Sequence, residues 1–221
     1  MIFTDEKMTD IVKSNNKYDV IYADPAWQYK DASCTGAAAE QYTTMPLEAI
    51  KALPVNQITA DNAMCFLWVT MPLLKEGIEV MEAWGFNYLT NGFTWIKVAE
   101  SGKPLMMLGR WTRGNAELCI IGKKGKCKKW RNAADVHSVI EAPLTRHSEK
   151  PHIVRTEIER LLGERKRIEL FGRASFKGWD VWGNQVDEYI PSSPSHITYC
   201  DKTMDMFADL PANDDVAEVV K

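Results

Sequence analysis

No apolar run in this chain is long enough to cross a bilayer as a helix, and Met1 to Lys13 shows no signal-peptide pattern. No G-x-G occurs, so the ordinary dinucleotide-binding fingerprint is missing. The P-loop is missing too: Gly122-Lys123-Lys124-Gly125-Lys126 has the wrong spacing and no Ser or Thr after its lysine. Cysteine is sparse. Cys34, Cys65, Cys119, Cys127 and Cys200 form no C-x-x-C pair and are odd in number, which favours reduced thiols in a cytosol over a disulfide framework. His137, His147, His152 and His196 make no metal-ligating cluster with them, so no structural metal is expected. No internal repeat occurs. What is present is ordinary: 221 residues suffice for one sizeable core.

Apolar runs alternate with amphipathic ones along that length. Strands read at Val20 to Ala23, Met64 to Val69, Phe93 to Lys97, Leu118 to Gly122 and Arg167 to Phe171. A helix from about Pro72 to Trp84 places Leu74, Ile78, Met81 and Trp84 on one face, with proline in its first turn and Gly85 to end it. A second, about Pro151 to Leu162, carries Val154, Ile158, Leu161 and Leu162 and stops at Gly163. This order predicts an α/β fold with a mostly parallel central sheet and helices on both faces. Cys34 to Gln41 and Ser101 to Asn115 read as long active-site loops.

The most informative stretch is Tyr18 to Trp27, Y-D-V-I-Y-A-D-P-A-W. A nearly continuous apolar run, as in a strand buried on both faces, ends in a carboxylate, a proline carbonyl and a large ring. Open α/β sheets bind ligands beyond their strands' carboxyl ends. Asp24 and the Pro25 carbonyl are two acceptors able to hold an NH₂ group, and Trp27 offers a face on which a base could stack. The same letters also fit an Asp-Pro turn closing an ordinary strand, with Trp27 as core filler.

Asp24-Pro25-Ala26-Trp27 resembles the D-P-P-[YFW] motif of amino-methyltransferases, which alkylate an exocyclic amine of adenine or cytosine. The ordered series continues with Leu67-Trp68-Val69, Trp111-Thr112-Arg113, Glu117-Leu118-Cys119, His147-Ser148-Glu149-Lys150-Pro151, Ile168 to Arg173, and Trp182-Gly183-Asn184-Gln185. From Tyr18 to Tyr189 it is similar to the adenine N6-methyltransferase family that includes the catalytic subunit of the eukaryotic messenger-RNA adenosine methyltransferase, and it looks like a bacterial or phage member. The resemblance implies a Rossmann-like methyltransferase domain over residues 1–190 and S-adenosylmethionine as donor. It implies catalysis at Asp24, Pro25, Ala26 and Trp27. Donor contacts would come from Asp24, Lys124, Lys150, Phe171, Arg173, Asn184 and Gln185, the family's cofactor loop being F-G-R-like rather than glycine-rich. Acceptor contacts would come from Trp27, Tyr42 and Glu117. Asn184-Gln185 read alone is a capped turn, Arg173 a surface ion pair, and Glu117 a partner for Arg113 or Lys123. Two departures stand out: Ala26 replaces the second proline, and Ser175-Phe176 replaces a His-Asn pair.

The net charge of -3 does not announce a nucleic-acid binder, but its distribution is uneven. Lys123, Lys124, Lys126, Lys128, Lys129 and Arg131 cluster around Trp130, and the last five of these cations are expected to meet phosphates. A solvated basic loop is the other reading. Residues 191–221 form an acidic tail, expected to be flexible. The expected function is therefore methylation of the adenine N6 amine in nucleic acid, with DNA favoured over RNA and the target base flipped or single-stranded. A non-catalytic partner subunit that binds nucleic acid is the alternative from another class. A homodimer or heterodimer is compatible with the resemblance; the expected location is cytoplasmic, with no membrane contact.

Overall fold

A computed structural model describes residues 2–3, 8–28, 44–109, 111–145, 149–183 and 188–189. In chain order these form β1 (Ile2–Phe3), α1 (Thr9–Lys13), β2 (Tyr18–Ala23), α2 (Leu47–Lys51), α3 (Val55–Ile58) and β3 (Thr59–Val69). Then come α4 (Leu74–Ala83), β4 (Asn87–Val98), β5 (Ala116–Lys124) and β6 (Val139–Pro143). The chain continues through α5 (Ile153–Leu162), β7 (Arg167–Leu170), β8 (Ala174–Ser175), β9 (Trp179–Trp182) and β10 (Glu188–Tyr189). Eight strands build the main sheet in the order β1-β9-β7-β2-β3-β5-β4-β6. Within it β5 alone is reversed, antiparallel to both β3 and β4, so the expected mostly parallel sheet is the one observed.

The two faces of the sheet are covered separately, as alternation along the central strands requires. Ile21 and Ala23 of β2 point, with Cys65, Leu67 and Val69 of β3, into a core closed by Ile11, Ile50, Val55, Ile58, Val80 and Met81 from α1 to α4. Val20, Tyr22, Phe66 and Trp68 point the other way, into a core closed by Ile153, Val154, Ile158 and Leu162 of α5. Being apolar on both faces is why β2 and β3 read as continuous runs rather than alternating ones. A 3₁₀ turn at Met71–Leu73, carrying Pro72, leads into α4. Gly77 lets that helix lie against β3, because a Cβ there would fall 2.2 Å from Cγ1 of Val69. Gly85 and Gly163 end α4 and α5 at φ +88° and +67°, as their positions after the periodic runs predict. The expected tail, residues 191–221, lies outside the described residues.

Candidate active site

Parallel pairing brings the carboxyl ends of several strands to one edge: Ala23 lies beside Leu67 and Leu170, and Leu170 beside Trp182. The reversal of β5 brings its amino end there as well, with Leu118 beside Val69 and Ala116 beside Ile96. Asp24, Lys97, Glu117 and Phe171 therefore meet along this edge, and Lys150 reaches it from the segment just before α5.

Four of these groups form a row of alternating charge. Lys150 Nζ sits 2.8 Å from Asp24 Oδ2 and 3.3 Å from Glu117 Oε2, while Glu117 Oε1 accepts a hydrogen bond from Lys97. The Lys150 side chain is only 9 % exposed, and its ammonium lies 5.7 Å from the centroid of the Trp68 ring. Asp24 is the most open member, at 25 %. Burial raises the Asp24 carboxyl above its ordinary value, and Lys150 offsets part of that rise. Burial weighs most on Glu117 too, yet Lys150 and Lys97 together hold its carboxyl below the usual value. Lys150 is desolvated, but the two carboxylates around it raise its pKa, so it stays charged. Lys97 was not a sequence candidate. Its signal was a lysine ending an apolar strand opposite an acid, legible only once β4 and β5 were paired.

Trp27 is 8 % exposed and belongs to the core; its indole N–H donates to the Trp68 carbonyl at 3.1 Å. A stacking role is thus confined to the small part of the ring that solvent reaches. The Pro25 carbonyl already accepts the Trp27 amide at 2.9 Å, leaving one lone pair for another donor. The Ala26 carbonyl accepts from the Met45 amide at 2.8 Å, which ties the turn to the segment before α2. Glu117 partners Lys97 and Lys150, not the Arg113 or Lys123 of its alternative reading.

Beyond β7 the chain makes a close crossing. Phe171, at φ +64°, packs edge-on against Trp182 with centroids 5.2 Å apart. The Gly172 amide donates to the Trp182 carbonyl at 3.0 Å, and a Cβ on Gly183 would lie 2.0 Å from the Gly172 oxygen. Only glycine fits there, so β7 and β9 end in bare backbone beside Asp24. Arg173 is exposed and close enough to Asp24 to act on its ionisation. Nδ1 of His152 and Nη1 of Arg155 are buried without a hydrogen-bond partner among the described residues. A backbone cradle flanked by the Lys150 and Arg173 cations fits an amino-acid nucleoside such as the methyl donor, whose carboxylate they can meet.

Some sequence candidates are not brought here. Lys124 pairs with Ala63, seven residues along β5 from Glu117, or about 23 Å at roughly 3.3 Å per residue. The expectation that Lys124 lies beside donor and acceptor is corrected: β5 runs against its neighbours, so its carboxyl end leaves by the opposite edge. Lys126, Lys128, Lys129 and Arg131 follow Lys124 there and do not join Asp24. Ser175 is a strand residue of β8 and Phe176 is buried against Arg155, so the loop that departs from the family pattern is occupied by packing. Tyr42, Asn184, Gln185, His147 and Ser148 lie outside the described residues.

The MT-A70 family model matches residues 18–185. A Type II methyltransferase, M.MunI of Mycoplasma sp, is 34% identical over 190 residues, covering 78% of this chain and 79% of that protein. An N(6)-adenosine-methyltransferase MT-A70-like protein of Drosophila melanogaster is 30% identical over 190 residues, 84% of this chain but 30% of its own length. The human N(6)-adenine-specific methyltransferase METTL4 is 25% identical over 206 residues, 87% of this chain and 41% of that protein. The chain thus spans most of the first relative and less than half of the other two.

Proposed function

The chain belongs to the MT-A70 family and is a methyltransferase that uses S-adenosylmethionine; from that premise we propose that its acceptor is the N6 amine of adenine in nucleic acid, DNA favoured. The observation that carries this reading is the open Asp24 carboxylate at the carboxyl end of β2, held in place by Lys150 at 2.8 Å.

The N6 lone pair of adenine is delocalised into the ring and is a poor nucleophile. Asp24 accepts one of the amine's N–H groups, and the free lone pair of the Pro25 carbonyl accepts the other. Both bonds draw the nitrogen toward tetrahedral character and orient its lone pair. The bound donor supplies an electrophilic sulfonium methyl, and the cradle at Phe171 to Arg173, with Lys150, is the place to hold it. Holding two reactants at attack distance can supply about 7–11 kcal/mol of barrier reduction. No strong base is needed before transfer, because the amine becomes acidic only once methylated, and its proton then passes to Asp24, which already accepts that N–H. Lys150 fixes the Asp24 oxygen and balances its charge; Glu117 and Lys97 fix Lys150 in turn. The target adenine must be flipped out or already single-stranded to reach this edge.

M.MunI, most of whose length is matched, is a Type II methyltransferase, a name that favours DNA; the adenosine-methyltransferase named in the fly keeps RNA as the second reading. Labelled S-adenosylmethionine, incubated in parallel with unmodified DNA and RNA, decides between them once the products are digested to nucleosides. We expect N6-methyladenine with DNA and none with Asp24→Ala, whose fold and donor binding stay largely intact. Methylation retained in Asp24→Ala removes the mechanism. A cytoplasmic setting is consistent with Cys65, Cys119 and Cys127, which are buried free thiols, and no helix among the described residues is long and apolar enough to cross a membrane.

A further inference from the structure

We propose that the edge of the sheet opposite Asp24 is a second nucleic-acid contact, a preformed shelf that grips phosphates flanking the target base. It rests on the reading of the chain as a nucleic-acid methyltransferase and adds to it a place for the substrate's backbone that is separate from the chemistry. The shelf is formed where β5 leaves the sheet, by Lys123, Lys124, Lys126, Lys128, Lys129 and Arg131. Lys126, Lys128, Lys129 and Arg131 are exposed. Among the described residues no ion pair engages Lys126, Lys129 or Arg131, whereas Lys97 and Lys150 on the catalytic edge are both held by carboxylates. The charge available to a polyanion is therefore concentrated away from the catalytic row.

This segment is pinned, unlike a solvated lysine loop. Gly125 turns at φ +66°, where a Cβ would lie 2.3 Å from the Asp61 carbonyl. The Lys126 amide donates to Asn62 Oδ1 at 2.6 Å. Cys127 is buried, its thiol donating toward the carbonyls of Ala63 and Lys124 at 3.5 and 3.3 Å. Lys128–Trp130 then form a 3₁₀ turn, and the half-buried Trp130 ring lies 4.2 Å beneath the Arg165 guanidinium. The Asn132 amide closes the segment on the Leu161 carbonyl at 2.7 Å. A backbone fixed in this way presents the cations from one place, so that binding a polyanion orders their side chains but not the segment that carries them. From Glu117 to Lys124 the span of about 23 Å equals roughly seven base steps of 3.4 Å. A substrate shorter than that beyond the target reaches only the catalytic edge.

The test is the exposed triple variant Lys128→Ala/Lys129→Ala/Arg131→Ala, compared with the parent on two substrates. One is a duplex reaching about fifteen base pairs beyond the target adenine, roughly twice the span just given, and the other an oligonucleotide of about five nucleotides. On the duplex we expect KM to rise and its log–log dependence on salt to become shallower by about 2.7, three lost phosphate contacts at about 0.9 each, with kcat unchanged. On the short oligonucleotide, variant and parent should coincide, and their melting curves should overlay. An unchanged KM and salt slope on a duplex that the parent methylates overturns the shelf and leaves the methyltransferase reading intact. Equal losses on both substrates overturn it as well, since a flanking contact cannot act on a substrate too short to reach it. A parent that binds the donor but methylates neither polymer removes the nucleic-acid reading, and the shelf with it.

Discussion

The Asp24 carboxylate is pulled two ways: burial disfavours its charge, and the Lys150 ammonium at 2.8 Å restores part of it. The net rise matters to catalysis because only the ionised form accepts both an amine N–H and the lysine. We therefore expect the acid limb of kcat/KM against pH to lie above 3.8, the ordinary aspartate value. Lys150→Met removes the main group holding that pKa down, so the limb should move further up while donor-free folding is retained. A limb that stays in place in the variant separates Lys150 from the ionisation of Asp24. The same residue shows what a sequence does and does not disclose. Asp24-Pro25-Ala26-Trp27 marks the strand end and its carboxylate at once, but the depth of Trp27 and the prior use of the Pro25 carbonyl appear only when Trp68 and the turn are in place.

Helix α5 is fastened to the sheet by a buried ion pair, and that pair stands directly behind the cradle. Arg155 Nε and Nη2 both donate to the carboxylate of Glu169 on β7, with the guanidinium stacked 3.8 Å from the Phe176 centroid and 5.3 Å from Tyr22. Arg155→Met alone leaves Glu169 buried and unpaired, and should cost about 3–5 kcal/mol in urea unfolding. Replacing both, as Arg155→Met/Glu169→Met, should recover most of that loss, since apolar groups of similar volume can substitute for a buried pair. If the double variant is as unstable as the single one, the pair is holding geometry rather than balancing charge. Helices α4 and α5 were legible, because they show 3.6-residue periodicity ended by Gly85 and Gly163, whereas α1, α2 and α3 are too short to show a period and were not. Central strands were legible from their apolar runs. The strands β6, β8 and β9 were not: Val139–Pro143 is largely exposed or half-buried at the sheet margin, Ala174–Ser175 is two residues long, and Trp179–Trp182 interrupts its apolar run with Asp180. The direction of β5 was illegible for a different reason. No local property of Leu118 to Gly122 distinguishes parallel from antiparallel pairing, and on that single reversal depends which end of the strand, Glu117 or Lys124, faces Asp24.

Taken as a whole, the molecule separates its charges by edge, with a buried row of alternating charge at one end of the sheet and a cluster of exposed cations at the other. The row also couples folding to pH through groups of opposite sign. Glu117 has a lowered folded pKa, so its contribution is fully present above 4.5 and is lost as pH falls through the folded value. Lys150 has a raised one, so its contribution is present below 10.5 and lost as pH rises through the folded value. Asp24, raised, acts in reverse: folded protein takes up its proton first as pH falls, which adds stability on the acid side. Glu117→Gln removes the first effect, and with it only the smaller part of the Asp24 rise that Glu117 causes, burial being the larger part. The variant leaves Lys97 and Lys150 with one carboxylate fewer, so it should be less stable than the parent at neutral pH. That deficit should begin to shrink once pH falls below 4.5, where the parent's unfolded chain takes up the Glu117 proton, and should level off below the folded value, where the native carboxyl is protonated too. Urea unfolding of both proteins from neutrality downward measures the difference directly. A deficit constant across the whole range would mean that Glu117 supports Lys97 and Lys150 by shape and hydrogen bonding alone, and that the row's charge does not stabilise the fold.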